Sequence, residues 1–383
     1  MARTPTKIGI IGCGVISGIY IESAKKIDAV ELVAVADVNP TAAQFRAEQY
    51  DIPRACSPEE LLADPEIEIV ANLTPNRLHA QVARQILEAG KHVYGEKPFT
   101  VYREESQEVL GLAARQGLRT GGAPDTFFGA AWQTARKAID DGLIGRPIAA
   151  LALLQNRRVP AAAQGPRPVS SPTRATAPGT VSFFQTDAGK YGVTVTFDMG
   201  PYYFVNLINL LGPVKRVTGV TSKPFEEAFR FGSKVKVETP THVTGILEFA
   251  NGAVCQIVTS GDVYSTGLPH IEIYGTEGTL RCPDPNVFPG PVYLRKPESR
   301  ELIELESRPA YVQDSRGVGL ADMAVAIKNG RPHRASGEMG AHVVDIINAL
   351  HESSEQGRRI DLQTTCVQPK PLPADLANYE IDD

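Results

Sequence analysis

The sequence predicts an α/β unit followed by an α+β unit. A doubly wound parallel sheet fills residues 1–124, an open, mainly antiparallel sheet fills 125–365, and an extended tail closes the chain at 366–383. Three observations carry this. Apolar strands alternate with helical segments up to residue 123, the rhythm of a parallel sheet covered on both faces. Beyond residue 146, short strands follow one another through hairpin signals such as Asn251-Gly252 and Glu277-Gly278. Between the first strand and the first helix stands a glycine turn, KIGIIGCGVISG, from Lys7 to Gly18.

In chain order, the first unit reads as strands at 6–11, 31–36, 68–73, 91–95 and 119–123. Helical patterns lie between them near 15–27, 40–49, 58–63, 76–89 and 102–116, with Gly90 and Gly117 placed as helix C-caps. A helix over 127–141, capped by Asp125 or Thr126, leads into the second unit. There, strand 147–155 precedes a stretch rich in Pro, Ala, Gly, Ser and Thr over 157–193, then a helix over about 194–211. Strands follow near 214–221, 233–238, 241–249, 253–260, 269–275 and 278–282, and helices near 315–329 and 337–356 complete the body. The tail carries three prolines and several acids, which reads as extended chain.

The glycine turn carries the first chemical reading. Ile8, Ile10 and Ile11 make a short buried strand, and Gly12 and Gly14 leave no side chain between the backbone and a pyrophosphate. Val15 and Ile16 begin the helix whose N-terminus would face that anion. Ser17 takes the third glycine position, small enough for close helix–strand packing. Asp37 closes the next apolar run, ELVAVAD, where a carboxylate accepts hydrogen bonds from the ribose 2′-OH. After it come Val38, Asn39 and Pro40, with no Arg or Lys to hold a 2′-phosphate, and the carboxylate repels one. NAD(H) is favoured over NADP(H). A tight turn in some other doubly wound domain is the alternative reading of the same residues.

Composition bounds the rest. At 383 residues and 42% hydrophobic, the chain suffices for two domains with a sizeable core. A net charge of −5 with acids and bases mixed points to no nucleic-acid or membrane-surface partner. No apolar stretch approaches the roughly 18 residues of a membrane span. Cys13, Cys56, Cys255, Cys282 and Cys366 are odd in number and lack C-x-x-C spacing, so a reducing cytoplasm is expected, and no structural metal. The antiparallel sheet has no helical layer assigned to its outer face, and residues such as Val243, Ile246 and Ile257 imply a homodimer or homotetramer packed through it.

Three further clusters bear chemistry. Thr74-Pro75-Asn76-Arg77-Leu78-His79 follows strand 68–73, where ligands of open α/β sheets sit. Thr74 with Pro75 is equally an ordinary helix start, and His79 equally a packed helix residue. Glu96-Lys97-Pro98 follows strand 91–95; a lysine there can donate to a substrate hydroxyl and lower its pKa, or be a solvated turn. Asp198-Met199-Gly200-Pro201-Tyr202-Tyr203 opens the second-unit helix. Asp198 and Tyr202 are spaced to share a helix face, although Pro201 suggests a start near Gly200, and Tyr202, Tyr203, Phe204 and Leu207 equally read as a packing stripe.

These motifs in this order resemble the Gfo/Idh/MocA oxidoreductases, from Lys7 to about Leu362. GIIGCG, TPNRLH and GEKPF lie in what the resemblance makes a Rossmann domain; GLIGRP, DMGPYY and IYGTEGTL lie beyond it. The resemblance implies that Lys97 is the catalytic lysine and that Thr74, Pro75, Asn76, His79, Glu96 and Lys97 line the cofactor. It implies that Asp198 orients and that Tyr202 stands where histidine is commonest in the family. A phenol of ordinary pKa near 10 needs a neighbouring cation to act as a base at neutral pH, and Lys97 and the nicotinium can supply one. The expected activity is NAD-dependent hydride transfer between nicotinamide C4 and a secondary alcohol or ketone of a sugar, polyol or glycoside. A nucleotide-binding regulator without turnover and a reductase of a non-sugar substrate are the alternatives. The stretch 157–193, with Arg157, Arg158, Arg167 and Arg174, reads as a substrate lid or an insertion.

Overall fold

Strands β1 (Thr6–Ile11), β2 (Val30–Ala36), β3 (Ala55–Cys56), β4 (Ile69–Asn72), β5 (His92–Gly95) and β6 (Thr120–Gly122) form one parallel sheet in the order β3-β2-β1-β4-β5-β6. The computed structural model describes residues 4–155, 175–177, 191–230, 233–264 and 266–383. Most of the 157–193 lid or insertion, including its four arginines, lies outside the described residues. Helices α1 (Ser17–Ala24), α2 (Pro40–Tyr50), α3 (Pro58–Leu62), α4 (His79–Glu88) and α5 (Arg103–Gln116) cover the sheet. The strands are near-continuous apolar runs because both faces are covered, and Ile8, Ile10, Ile69 and Val70 are all buried. Local signals set the helix starts. Asn39 accepts from Thr41 N–H ahead of Pro40, and Ser57 and Glu60 form a reciprocal capping box. The two-residue β3 escaped the sequence reading because it is too short to show a period.

After α6 (Ala130–Asp140) the chain builds a nine-stranded sheet from β7 (Pro147–Gln155), β8 (Val214–Ser222), β11 (His242–Phe249), β12 (Val254–Ser260), β13 (Ile271–Gly275), β14 (Thr279–Cys282), β15 (Tyr293–Arg295), β16 (Ile303–Glu304) and β17 (Ile360–Asp361). Among the described residues of this sheet, only β7 and β12 pair in parallel. The segment expected as a sheet strand at 233–238 instead forms β10 (Ser233–Lys236), which pairs with β9 (Glu227–Arg230) in a separate two-stranded ribbon. The second-unit helix is broken into α7 (Val195–Asp198) and α8 (Gly200–Leu211), as Pro201 near a helix start requires.

Helix α10 (Gly337–Gln356) packs on the inner face of this sheet, so close that a Cβ on Gly219 would lie 2.4 Å from the carbonyl oxygen of Leu350. Val243 and Ile257 therefore point inward and are 1% exposed, which corrects their assignment to the outer face. The apolar residues open on the other face are Val220, Ile246 and Val254. α9 (Val318–Lys328) and α10 return to the first sheet, where Ser336 bridges Gly121 of β6. Arg103 of α5 joins Asp345 and Glu352 of α10 at 2.5 and 2.8 Å. The tail has neither helix nor strand but is well packed: Leu372 and Leu376 are buried, and Asp382 pairs with Arg334 at 2.6 Å.

Candidate active site

The strand order reverses between β1 and β4, and the loops after β1, β4 and β5 open on that crevice. Gly12 has φ +106°, and a Cβ there would lie 2.6 Å from the Leu73 carbonyl group, so the turn accepts only glycine. A Cβ on Gly14 would meet nothing within 4 Å, which leaves the open space a pyrophosphate needs. Helix α1 starts at Ser17, slightly later than expected, with Ile16 as N-cap making no side-chain cap hydrogen bond; Val15 is exposed. Asp37 directly follows β2, with Oδ2 accepting from Cys13 N–H and Oδ1 from Asn39 N–H, each at 2.8 Å. Its carboxylate is thereby tied to the glycine turn and keeps lone pairs for a ribose.

Sequence reasoning missed Arg46. It is fully buried behind the turn, donating to Gly14 O at 2.8 Å, Ser17 Oγ at 2.9 Å and Gln49 Oε1 at 2.7 Å. Its guanidinium is committed to holding the turn. The available signal was an arginine on the buried Ala42–Ala43–Ala47 stripe of α2.

The loop after β4 is stitched from within. Thr74 Oγ1 donates to Asn72 Oδ1 at 2.6 Å, Pro75 precedes a short 3₁₀ turn, and Asn76 Nδ2 donates to Gly192 O at 3.0 Å. His79 is 1% exposed, its Nδ1 facing Pro98 O at 2.6 Å and Nε2 facing Thr74 O at 2.8 Å. Burial lowers its pKa against the pull of the two carbonyls. Its ring thus lies between the Thr74 loop and the Lys97 loop.

Glu96, Lys97, Asp198 and Tyr202 come together. Glu96 accepts from Tyr20 Oη at 2.8 Å and from Lys97 N–H at 3.0 Å. Lys97 Nζ donates to Asp198 Oδ1 and to Asp198 O, both at 2.6 Å, and lies 5.4 Å from the centre of the Tyr202 ring. Burial by itself would depress the Lys97 ammonium, but Asp198, Tyr202 and Glu96 outweigh it and hold the pKa above the ordinary lysine value. Tyr202 is buried, and burial raises its phenol above the usual value while Lys97 and Arg316 pull it down. Asp198 and Tyr202 reach Lys97 from opposite sides of the α7–α8 break rather than from one continuous helix. The arrangement can place an ammonium and a phenol on one substrate oxygen, with a carboxylate orienting the ammonium.

Below this cluster Asp125 accepts from Gly317 and Gly319 N–H at 2.8 and 3.0 Å. Burial raises its carboxyl to about 6. Among the described residues no group of three or more His, Cys, Asp or Glu is placed to hold a metal ion, and no helix is long and apolar enough to cross a membrane.

A switch-point crevice with an open glycine turn, joined to a sheet domain that delivers an acid and a phenol to one lysine, is the framework of a dinucleotide-dependent oxidoreductase. The chain belongs to the Gfo/Idh/MocA oxidoreductase family. The profile described as "Oxidoreductase family, NAD-binding Rossmann fold" matches residues 6–121, and that of the GFO/IDH/MocA C-terminal domain matches 132–281. The chain is 24% identical to the myo-inositol 2-dehydrogenase of Thermotoga maritima, over 93% of this chain and 98% of the relative. It is 23% identical to the D-glucoside 3-dehydrogenase of Escherichia coli, over 94% and 99%. Against the oxidoreductase YrbE of Bacillus subtilis the match spans only 41% of the relative, at 26% identity. Levoglucosan dehydrogenase in complex with NADH and L-sorbose shares the fold with a TM-score of 0.78 at 21% identity, covering 94% of this chain and 100% of that one.

Proposed function

We propose that this chain is an NAD-dependent dehydrogenase acting on a secondary alcohol of a sugar, polyol or glycoside, the same site serving the reverse reduction. The observation that carries the reading is the 2.6 Å pair of Lys97 and Asp198 beside Tyr202, assembled from the loop after β5 and the α7–α8 helices. The names of the inositol and glucoside dehydrogenases that align along nearly the whole chain support the substrate class. The turn at Gly12–Gly14, the first amides of α1 and Asp37 would hold the dinucleotide. Bound there, NAD⁺ supplies the two-electron acceptor. Lys97 donates a hydrogen bond to the substrate oxygen and stabilises the negative charge that develops on it. Tyr202, in its phenolate form, takes the hydroxyl proton. Asp198 fixes the ammonium in place and keeps it charged.

Asp37 favours NAD(H) over NADP(H) because its carboxylate would face a 2′-phosphate, and the buried Arg46 is spent on Gly14, Ser17 and Gln49. The exposed Val220, Ile246 and Val254 on the outer sheet face support a homodimer or homotetramer packed there. The five free cysteines fit a cytoplasmic enzyme.

The test is turnover of NAD⁺ on a panel including myo-inositol, methyl glucosides and levoglucosan. Reduction of the cofactor on any of these supports the reading. NADH binding, seen as fluorescence quenching, with no turnover across the panel would favour a non-catalytic regulator instead.

A further inference from the structure

The phenol of Tyr202 has a second cation, and no sequence motif announced it. Arg316 lies in the loop just before α9, far along the chain from the other site residues, with its Cζ 5.7 Å from the centre of the Tyr202 ring. It is 8% exposed. Its Nη2 donates to Asn286 Oδ1 at 2.7 Å and to Asn286 O at 2.9 Å, and its Nη1 donates to Asp314. The next residue, Gly317, donates its N–H to the buried Asp125, whose Oδ2 also faces the Tyr94 hydroxyl. The guanidinium is therefore held at both ends, by the side chain and by the backbone that carries it.

We propose that Arg316 is a positioning residue for the reaction, its guanidinium bracing the Tyr202 ring and favouring release of the phenol proton. This rests on the reading of Tyr202 as the base. The charged groups that bear on Tyr202 are Lys97 and Glu96 from the loop after β5, and Arg316 from the loop before α9. Lys97 is the larger of the two cation effects on the phenol, although it is itself paired with Asp198 at 2.6 Å. Arg316 has a neutral partner in Asn286 and two acidic ones, Asp314, which is 47% exposed and open to solvent screening, and the buried Asp125. Arg316 is thus a second positive charge at the phenol beside Lys97, and both cations oppose the effect of burial. Burial opposes ionisation of the phenol, so a buried tyrosine meant to take a proton needs such a charge more than an exposed one does.

The experiment is an ultraviolet titration of tyrosinate in the NAD⁺-saturated protein, comparing wild type, R316Q, R316K and Y202F. Subtracting the Y202F curve from wild type isolates one phenol among the twelve. R316Q should move its midpoint up by about one pH unit or more, a tenfold smaller phenolate fraction at neutral pH. R316K, which keeps the charge and loses the fork, should fall between. An R316Q midpoint equal to that of wild type would overturn the proposal, as would equal shifts in R316Q and R316K, the mark of a packing role alone. Thermal melts of both variants guard against loss of fold, and R316K alone suffices to decide if R316Q does not fold. Turnover separates the two layers. Y202F with kcat within a few-fold of wild type sinks the base assignment and this inference together, whereas a Y202F loss with an unmoved R316K midpoint sinks the role of Arg316 only.

Discussion

Lys97 and Asp198 stand 101 positions apart in the chain, yet Lys97 Nζ lies 2.6 Å from both the carboxylate and the main-chain carbonyl of Asp198. The second contact matters as much as the first. A side-chain pair alone would let the ammonium swing, whereas two acceptors on one residue fix its direction. The carbonyl is free to accept because α7 ends at Asp198 and the helix restarts at Gly200. The break that loosened the expected helix face is thus what supplies the acceptor.

Replacing Lys97 by Met should lower kcat by roughly 10²–10⁴-fold with little change in NADH affinity, since the ammonium acts on the substrate oxygen. It also leaves Asp198 partly buried without its cation, so chemical denaturation should show a loss of about 1–3 kcal/mol. Steady-state kinetics beside NADH fluorescence titration checks this. A parallel collapse of NADH binding and kcat would mean that Lys97 holds the nucleotide instead.

Tyr202→Phe removes one hydroxyl and keeps the ring. If Tyr202 is the base, kcat for alcohol oxidation should fall by a factor comparable to that of the lysine variant, and its rise with pH should disappear. A change of only a few-fold would leave Tyr202 as a member of the aromatic stripe with Tyr203 and Phe204 and leave Lys97 in place.

Cofactor preference should follow Asp37. NAD(H) is expected to bind at least tenfold more tightly than NADP(H), about 1.4 kcal/mol, and Asp37→Ala should erode that ratio. The variant also loses the acceptor for Cys13 N–H, so some affinity for both nucleotides should go with it. Calorimetry giving equal or better NADP(H) binding to wild type refutes the assignment.

The outer sheet face should be covered by another copy of the chain. Light scattering at micromolar concentration should give a multiple of 41.3 kDa. The double variant V220E/I246E should shift the mass toward one chain, because both side chains are exposed in the single chain at 66% and 37%. A single-chain mass for wild type removes this proposal.

Asp125 gives a pH signature with a fixed sign. Its carboxyl is raised by burial from 3.8 to about 6, so between those values the folded chain binds more protons than the unfolded one. The stability it contributes is fully present below about pH 4 and is lost as pH rises through about 6. Denaturation curves for wild type and Asp125→Asn should therefore differ by an amount that falls over that window, in disfavour of wild type. A difference that stays flat from pH 4 to 7 contradicts the raised value.

Much of this was legible locally. The glycine turn, Asp37 and the alternation through residue 123 are near-neighbour patterns, set by period, turn chemistry and burial on both faces, and the parallel sheet follows them. The hairpin signals at Asn251 and Glu277 likewise mark real strand reversals. Within the site, the motifs at Lys97 and at Asp198–Tyr202 could be picked out one by one. What their spacing could not say was which of their atoms would meet, or that His79 would spend both ring nitrogens inside the protein.

Three matters were decided only by tertiary structure, for one physical reason: each depends on what packs against a residue from a distant part of the chain. Alternation along β11 and β12 shows that the strands have two faces, but which face is inner was fixed by α10, and it put Val243 and Ile257 inside. Arg46 looks like an ordinary helix arginine until α2 docks behind the glycine turn and leaves its guanidinium facing Gly14 and Ser17. Arg316 carries no motif at all. Its place beside Tyr202 comes from the return of α9 to the first sheet, where Asp125 accepts the Gly317 amide, and a contact made by such a long-range return leaves no periodicity to read.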